Sequence, residues 1–211
     1  MKAILKYIPA LAVIYLTACN KNHDKYISEI FPNQVGDHWT YIYRTSPAGT
    51  DTSVVNVDII GSTFLPDGEL ASIWVTRISN APFYHDTSLV VANLFGVRIF
   101  NNRICRTCLD KGPGELGRYA LPLKVNNKWF THFPSGDTTR VLSELSVQVP
   151  AGTFDHTFQV SRTIGYSTNS FTNDTMFITP HIGMTKFIKR EFDLGTVPGD
   201  GIWELSDYHL N

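Results

Sequence analysis

Several things are scarce in this chain, and each scarcity excludes something. Charged residues make up only 18% of the 211 positions, and 18 basic residues face 19 acidic ones. No long basic run exists, so the electrostatic footprint of a nucleic-acid binder is missing. There are three cysteines, Cys19, Cys105 and Cys108, too few for a disulfide-built scaffold. No Gly-x-Ser-x-Gly, Ser-x-x-Lys, Walker or dinucleotide glycine pattern occurs. The seven histidines are scattered, and none forms the His-Glu-x-x-His pattern of a zinc protease. No window shows a long 3.6-residue apolar period with caps, so helix is a minor component. No residue is therefore assigned a catalytic, metal-binding or cofactor-binding role.

What is present is apolar and aromatic. Hydrophobic residues reach 43%, with 13 Phe, 9 Tyr and 4 Trp. That is enough for a sizeable core and favours strands. Leu145–Val149 alternates apolar and polar residues, Pro150-Ala151-Gly152 breaks the run, and Phe154–Val160 alternates again. This predicts two half-buried strands joined by a tight turn, with proline first in the turn and glycine at a left-handed position. Similar alternation covers Trp39–Tyr43, Asp51–Ile60, Leu70–Ile78, Thr87–Ala92, Phe95–Phe100, Thr139–Val149, Asp174–Thr179 and Ile202–Leu210. Asn101–Gly117 reads as the longest interruption. In the segment after Thr179, Ile182, Met184 and Ile188 keep one parity, and Pro180 and Gly183 predict a kink or bulge. The expected fold is mainly β: about ten antiparallel strands in a curved sheet, half-open barrel or sandwich, with little helix.

The first residues belong to targeting. Tyr7–Leu16 is an apolar run too short to span a bilayer, and Leu16-Thr17-Ala18-Cys19 follows it. The order resembles the lipobox of bacterial lipoproteins, which implies cleavage before Cys19 and lipidation of that residue; an ordinary secretory signal is the alternative. The expected organisation is a signal peptide over residues 1–18, a tether over 19–30 with one helical turn at Asp24–Ile30, and one β domain over 31–211. Cleavage takes Lys2 and Lys6 and no acid from a chain at −1, so the mature charge is −3. Asn20 after the cysteine leans towards the outer membrane by analogy with known sorting patterns.

Cys105-Arg106-Thr107-Cys108 is the most tempting motif. The following Leu-Asp-Lys-Gly-Pro-Gly does not hold the helix a redox dithiol needs, and His85 and His132 do not complete a zinc spacing. A local disulfide that shapes a loop is the expectation. His181, beside Pro180, is the histidine to watch, although structural roles are commoner at such places. Trp39, Tyr41 and Tyr43 offer either a stacking platform for sugars or, more ordinarily, core. The acids Glu204 and Asp207 are one pair to consider for glycosidase chemistry.

One segment is echoed. Phe31-Pro32-Asn33-Gln34-Val35-Gly36-Asp37-His38-Trp39 and Leu121-Pro122-Leu123-Lys124-Val125-Asn126-Asn127-Lys128-Trp129 share proline, valine and tryptophan at matching places. Together with Val149-Pro150-Ala151-Gly152-Thr153-Phe154 and the late Gly183-x-x-Lys186, this order resembles a group of uncharacterised bacterial cell-envelope lipoproteins. Those proteins look like distant relatives of the lipoprotein-carrier fold, a half-open antiparallel barrel with an apolar groove. The lipid anchor, the strand-rich chain and the missing catalytic signatures point to a membrane-anchored, non-enzymatic β domain that binds an apolar ligand or an envelope protein partner. A carbohydrate-active or other hydrolase with dispersed acids, and a structural subunit of an envelope assembly, are the alternatives.

Overall fold

A computed structural model describes residues 31–45, 52–79, 81–93, 95–104, 113–132, 137–167, 170–193 and 201–211. Among the described residues twelve strands follow one another: β1 (His38–Thr45), β2 (Thr52–Phe64), β3 (Leu70–Ile78), β4 (Ala81–Asn93), β5 (Gly96–Ile104), β6 (Pro113–Ala120), β7 (Lys128–His132), β8 (Asp137–Val149), β9 (Gly152–Ser167), β10 (Ser170–Thr179), β11 (Gly183–Asp193) and β12 (Gly201–His209). Every neighbour is antiparallel, in the order β6-β5-β4-β3-β2-β1-β12-β11-β10-β9-β8-β7. No helix occurs among the described residues. The sheet curls into a nearly closed barrel. β1 and β12 pair along their whole length, whereas β6 and β7 share no ladder. The expected mainly-β curved sheet is what forms, with twelve strands rather than ten.

Strand register defines the inner wall. Trp39, Tyr41 and Tyr43 share a face with Val57, Val55 and Ser53 across β2. That face continues through Trp74 and Thr76 on β3, Ser88 and Val90 on β4, and Ile99 and Val97 on β5. In the other direction, Trp203 leads to Phe187, Met176, Val160 and Val141. Period-two alternation thus sends one parity inward and the other to solvent.

The barrel has two unlike ends. At one end lie the described turns: Leu65–Glu69, Phe95, Leu121–Asn127, Pro150–Ala151 and Pro180–Ile182. The strap Phe31–Asp37 closes this end. Asn33 accepts hydrogen bonds from Trp74 Nε1 (2.8 Å) and Ser72 Oγ (3.0 Å), which draws the strap inward. The buried carboxylate of Asp37 accepts from Gln34 N (2.8 Å) and from Asn211 N (2.9 Å), tying the strap to the last residue. The opposite end is formed where β2, β4, β6, β8, β10 and β12 begin.

The echoed segments end in matching turns. Gly36 and Asn126 both take left-handed φ, 97° and 73°. Gly36 N donates to Ile59 O and Ile59 N to Asp37 O; Asn126 N donates to Val141 O and Val141 N to Asn127 O. Trp39 Nε1 and Trp129 Nε1 each donate to a backbone carbonyl, of Ile182 and Arg118, at 2.7 Å. The equivalence runs on. Leu65-Pro66-Asp67-Gly68 ends β2 as Val149-Pro150-Ala151-Gly152 ends β8. Gly96-Val97-Arg98-Ile99-Phe100 opens β5 as Gly183-Met184-Thr185-Lys186-Phe187 opens β11. Glu115-Leu116-x-x-Tyr119-x-Leu121 closes β6 as Glu204-Leu205-x-x-Tyr208-x-Leu210 closes β12. The two halves, β1–β6 and β7–β12, thus share strand number, sheet order and turn motifs.

In each half the hairpin of its second and third strands packs onto later strands of the same half. The β2–β3 turn packs Leu65 with Leu89, Val91 and Phe100, and Glu69 pairs with Arg98. The β8–β9 turn lies against β12, with Ala151 N donating to Leu205 O (3.0 Å). Beneath that hairpin Thr157, Thr179 and Thr185 form a buried hydroxyl chain.

Two expectations need correction. Pro180 and Gly183 do not kink one strand; they bound the reversal between β10 and β11, with Ile182 N bonded to Thr179 O (3.1 Å). Gly183 supplies the left-handed φ of 94° that ends the turn. The interruption from Asn101 to Gly117 is also shorter than read, because β5 runs to Ile104 and β6 starts at Pro113. The predicted turn at Pro150-Ala151-Gly152 forms, with Gly152 at φ 141°.

Candidate ligand-binding lumen

The floor of the barrel is aromatic. Trp39 stacks on Trp74 (5.1 Å between ring centroids), Phe31 on Trp74 (5.9 Å) and Phe31 on Tyr119 (6.5 Å). The chain of rings crosses from β1 to β6 through the strap. Each indole N–H has a partner, so the polar edges of these rings are satisfied while their faces stay apolar.

Above the floor lies a chamber of about 160 Å³, lined by Tyr41, Val57, Ile99, Met176, Met184 and Trp203 among others. It continues into a wider opening of about 460 Å³ that shares Ile99, Tyr119, Met176, Met184 and Trp203 and adds Asp86, Arg162 and Phe187. The lower part is almost purely apolar. Its two methionines are unbranched and polarisable, able to adapt to differently shaped guests.

The upper part turns polar on the same face. Arg162 of β9, Asp174 of β10 and Lys189 of β11 are consecutive cross-strand partners. Arg162 Nε donates to Asp174 Oδ2 (3.1 Å), and the Asp174 side chain is only 3% exposed. Asp174 Oδ1 and Thr172 Oγ1, both buried, find no partner. Buried polar atoms of that kind are uncommon and invite a donor from water or a guest. Arg162 also reaches over the lumen to Leu116 O of β6 (3.4 Å), where Gly117 leaves room: a Cβ there would stand 3.1 Å from the guanidinium.

Two tyrosines are held neutral. Burial pushes the phenol of Tyr41 well above its ordinary range, and its O–H donates to Met184 O (2.9 Å). Burial also raises Tyr119, opposed by the positive charge of Arg162 and reinforced by the negative charge of Asp174. Its O–H donates to Met176 Sδ (2.8 Å), joining β6 to β10 across the open seam.

The singled-out residues fall as follows. Trp39, Tyr41 and Tyr43 all face inward; Trp39 and Tyr41 are core and chamber wall at once. Glu204 and Asp207 face away from the lumen. Glu204 is engaged by Lys186 (2.8 Å) and Arg44 (3.7 Å), and Asp207 is exposed, so the two do not share a cleft. His181 is exposed in the β10–β11 turn with φ 68°, a turn position. Cys19, Cys105 and Cys108, the Asp24–Ile30 turn, and the side chains of His85 and His132 lie outside the described residues. Among the described residues no three His, Cys, Asp or Glu side chains gather as a metal site. Sequence reasoning missed Arg162, Asp174, Met176 and Trp203 as a group. The one available signal was Asp174, an acid at the inward parity of Thr172-x-Asp174-x-Met176-x-Ile178.

No family model matches the chain, and no curated protein does. Two solved structures are similar. A candidate exported protein with a YmcC-like fold from Bacteroides fragilis NCTC 9343 is 13% identical over 85% of this chain and 98% of that one, with a TM-score of 0.52. A candidate lipoprotein from Parabacteroides distasonis ATCC 8503 is 13% identical over 85% and 97%, with a TM-score of 0.47. The likeness to the Bacteroides fragilis protein shows a shared fold.

Proposed function

We propose that this chain is a non-enzymatic lipoprotein of the bacterial cell envelope, moored through Cys19 at the outer membrane, whose barrel binds the apolar part of an amphiphilic ligand. The observation that carries the reading is the graded lumen: an aromatic floor, an apolar chamber with Met176 and Met184, and an opening that adds the charged Arg162 and Asp86. Small-molecule sites are typically concave and mostly apolar with a few placed polar groups. A guest lying with its apolar end on Trp203 and the methionines puts its polar end beside the charged partners. The lipobox Leu16-Thr17-Ala18-Cys19 supports the anchor, and the exported and lipoprotein descriptions of the two similar structures agree with it.

An apolar dye such as N-phenyl-1-naphthylamine tests the reading. The purified protein is expected to enhance its emission saturably. Met184→Trp, which fills the chamber from its wall, is expected to weaken binding about tenfold. Loss of saturable binding in the wild-type protein would overturn the proposal. So would a Met184→Trp variant that folds and binds unchanged.

A further inference from the structure

We infer that the turn-bearing end of the barrel is a membrane-docking face, seated on the phospholipid surface to which the proposed anchor attaches. This inference rests on the lipoprotein reading for its geometry, not on what the lumen holds. Exposed apolar side chains gather at this end. Phe64 and Leu70 are direct cross-strand partners at the tip of β2–β3 and are 72% and 58% exposed. Phe95, in the β4–β5 turn, is 84% exposed, and Phe130 on β7 is 65% exposed. Val35 in the strap and Val125 before β7 add to the same end.

Three of these elements adjoin. Phe95, Phe130 and Glu69 of the β2–β3 turn border one surface groove of about 440 Å³. Its charged members are mostly matched: Arg98 pairs with Glu69, and Arg118 with Glu115 (2.8 Å). The groove is thus apolar with paired charges, which suits insertion among lipid headgroups. Large side chains left exposed together call for a partner.

The chain's path names the partner. The strap places Phe31 at this same end, and Cys19 lies twelve positions earlier. Twelve residues reach at most roughly 40 Å, even fully extended. Acyl chains on Cys19 therefore keep this end of the barrel, more than the lumen opening, within reach of the bilayer. Docked so, the barrel presents its polar opening away from the membrane it is anchored in.

The test uses the full protein in phosphatidylethanolamine–phosphatidylglycerol vesicles containing a phospholipid with a diazirine in its acyl chain. After irradiation, adducts are mapped by mass spectrometry. Adducts are expected on residues 64–70, 95 and 125–130, with little change at 0.5 M salt. Phe64→Ser with Phe95→Ser is expected to cut them at least fivefold without shifting the melting temperature. Val54→Ser, an exposed apolar position near the opposite end, is expected to leave the map unchanged. Adducts spread evenly over the barrel, or confined to residues 19–30, would overturn the inference. Intact mass of the same sample reports acylation separately. An unacylated chain would sink the anchor, while the adduct map of the vesicle-bound fraction judges the face.

Discussion

A Cβ placed on Gly183 would stand 3.5 Å from Nε1 of Trp39, whose N–H already donates to the carbonyl of the preceding Ile182 at 2.7 Å. The spacing is ordinary van der Waals contact, so the indole tolerates a methyl. The φ of 94° does not. Gly183→Ala is therefore expected to cost about 1–2 kcal/mol through backbone strain, with Trp39 undisturbed. His181→Gly, two residues earlier at φ 68°, is expected to be neutral or stabilising by up to about 1 kcal/mol. Urea unfolding of both variants checks the opposite signs. Trp39→Phe is expected to cost more than either, because it strands a buried acceptor as well as shrinking the core.

That turn also shows why it was misread. Ile178 and Met184 are direct partners across β10–β11. A hairpin whose flanking residues face each other preserves the parity of an uninterrupted strand. Pro180 and Gly183 then look like defects within it. β6 was missed for a different reason: Pro113, Gly114 and Gly117 read as breakers. β6 is an edge strand along the open seam, where proline is tolerated, and Gly117 makes room for Arg162. Alternation did reveal most of the other strands, because one face of each is buried; the five-residue edge strand β7 was too short to show it. The lumen stayed hidden because residues lining a cavity obey the same parity as residues filling a core.

The two junctions between the halves are expected to differ in stability. β12 and β1 form a full ladder, while β6 and β7 rely on Trp129 Nε1 to Arg118 O and on the side chains of Tyr119 and Arg162. Hydrogen exchange in peptides covering 113–120 and 128–132 is expected to be faster, by one or more orders of magnitude, than in 38–45 and 201–209. Trp129→Phe is expected to speed the first pair further and leave the second pair alone. Equal protection at both junctions would show that the barrel closes fully in solution.

Stability is expected to fall on the alkaline side because of Tyr41 and Tyr119. Both phenols have folded pKa values raised by burial. Below the ordinary phenol range both states are protonated and nothing changes. Above about pH 10 the unfolded chain ionises first, so stability drops as pH rises, by up to about 1.4 kcal/mol per unit for each tyrosine. Tyr41→Phe and Tyr119→Phe are expected to flatten the loss, at the cost of a hydrogen bond at neutral pH. Chemical denaturation at pH 8 and pH 11 gives the slopes.

The pair Arg162–Asp174 separates stability from binding. Removing only the cation leaves a carboxylate that is 3% exposed facing the lumen, with Lys189 its cross-strand neighbour in register. Arg162→Met is therefore expected to destabilise by about 3 kcal/mol. Arg162→Met with Asp174→Asn removes the uncompensated charge and is expected to regain at least half of that loss. If the polar opening serves a guest's headgroup, the double variant folds well yet discriminates poorly. It should still take up the apolar dye, while its preference for a charged amphiphile over a neutral one of the same chain length should fall at least fivefold. Retained preference in a stable double variant would make the pair a purely structural strut across the seam. The headgroup would then have to be read by Asp86, which lies on the same opening.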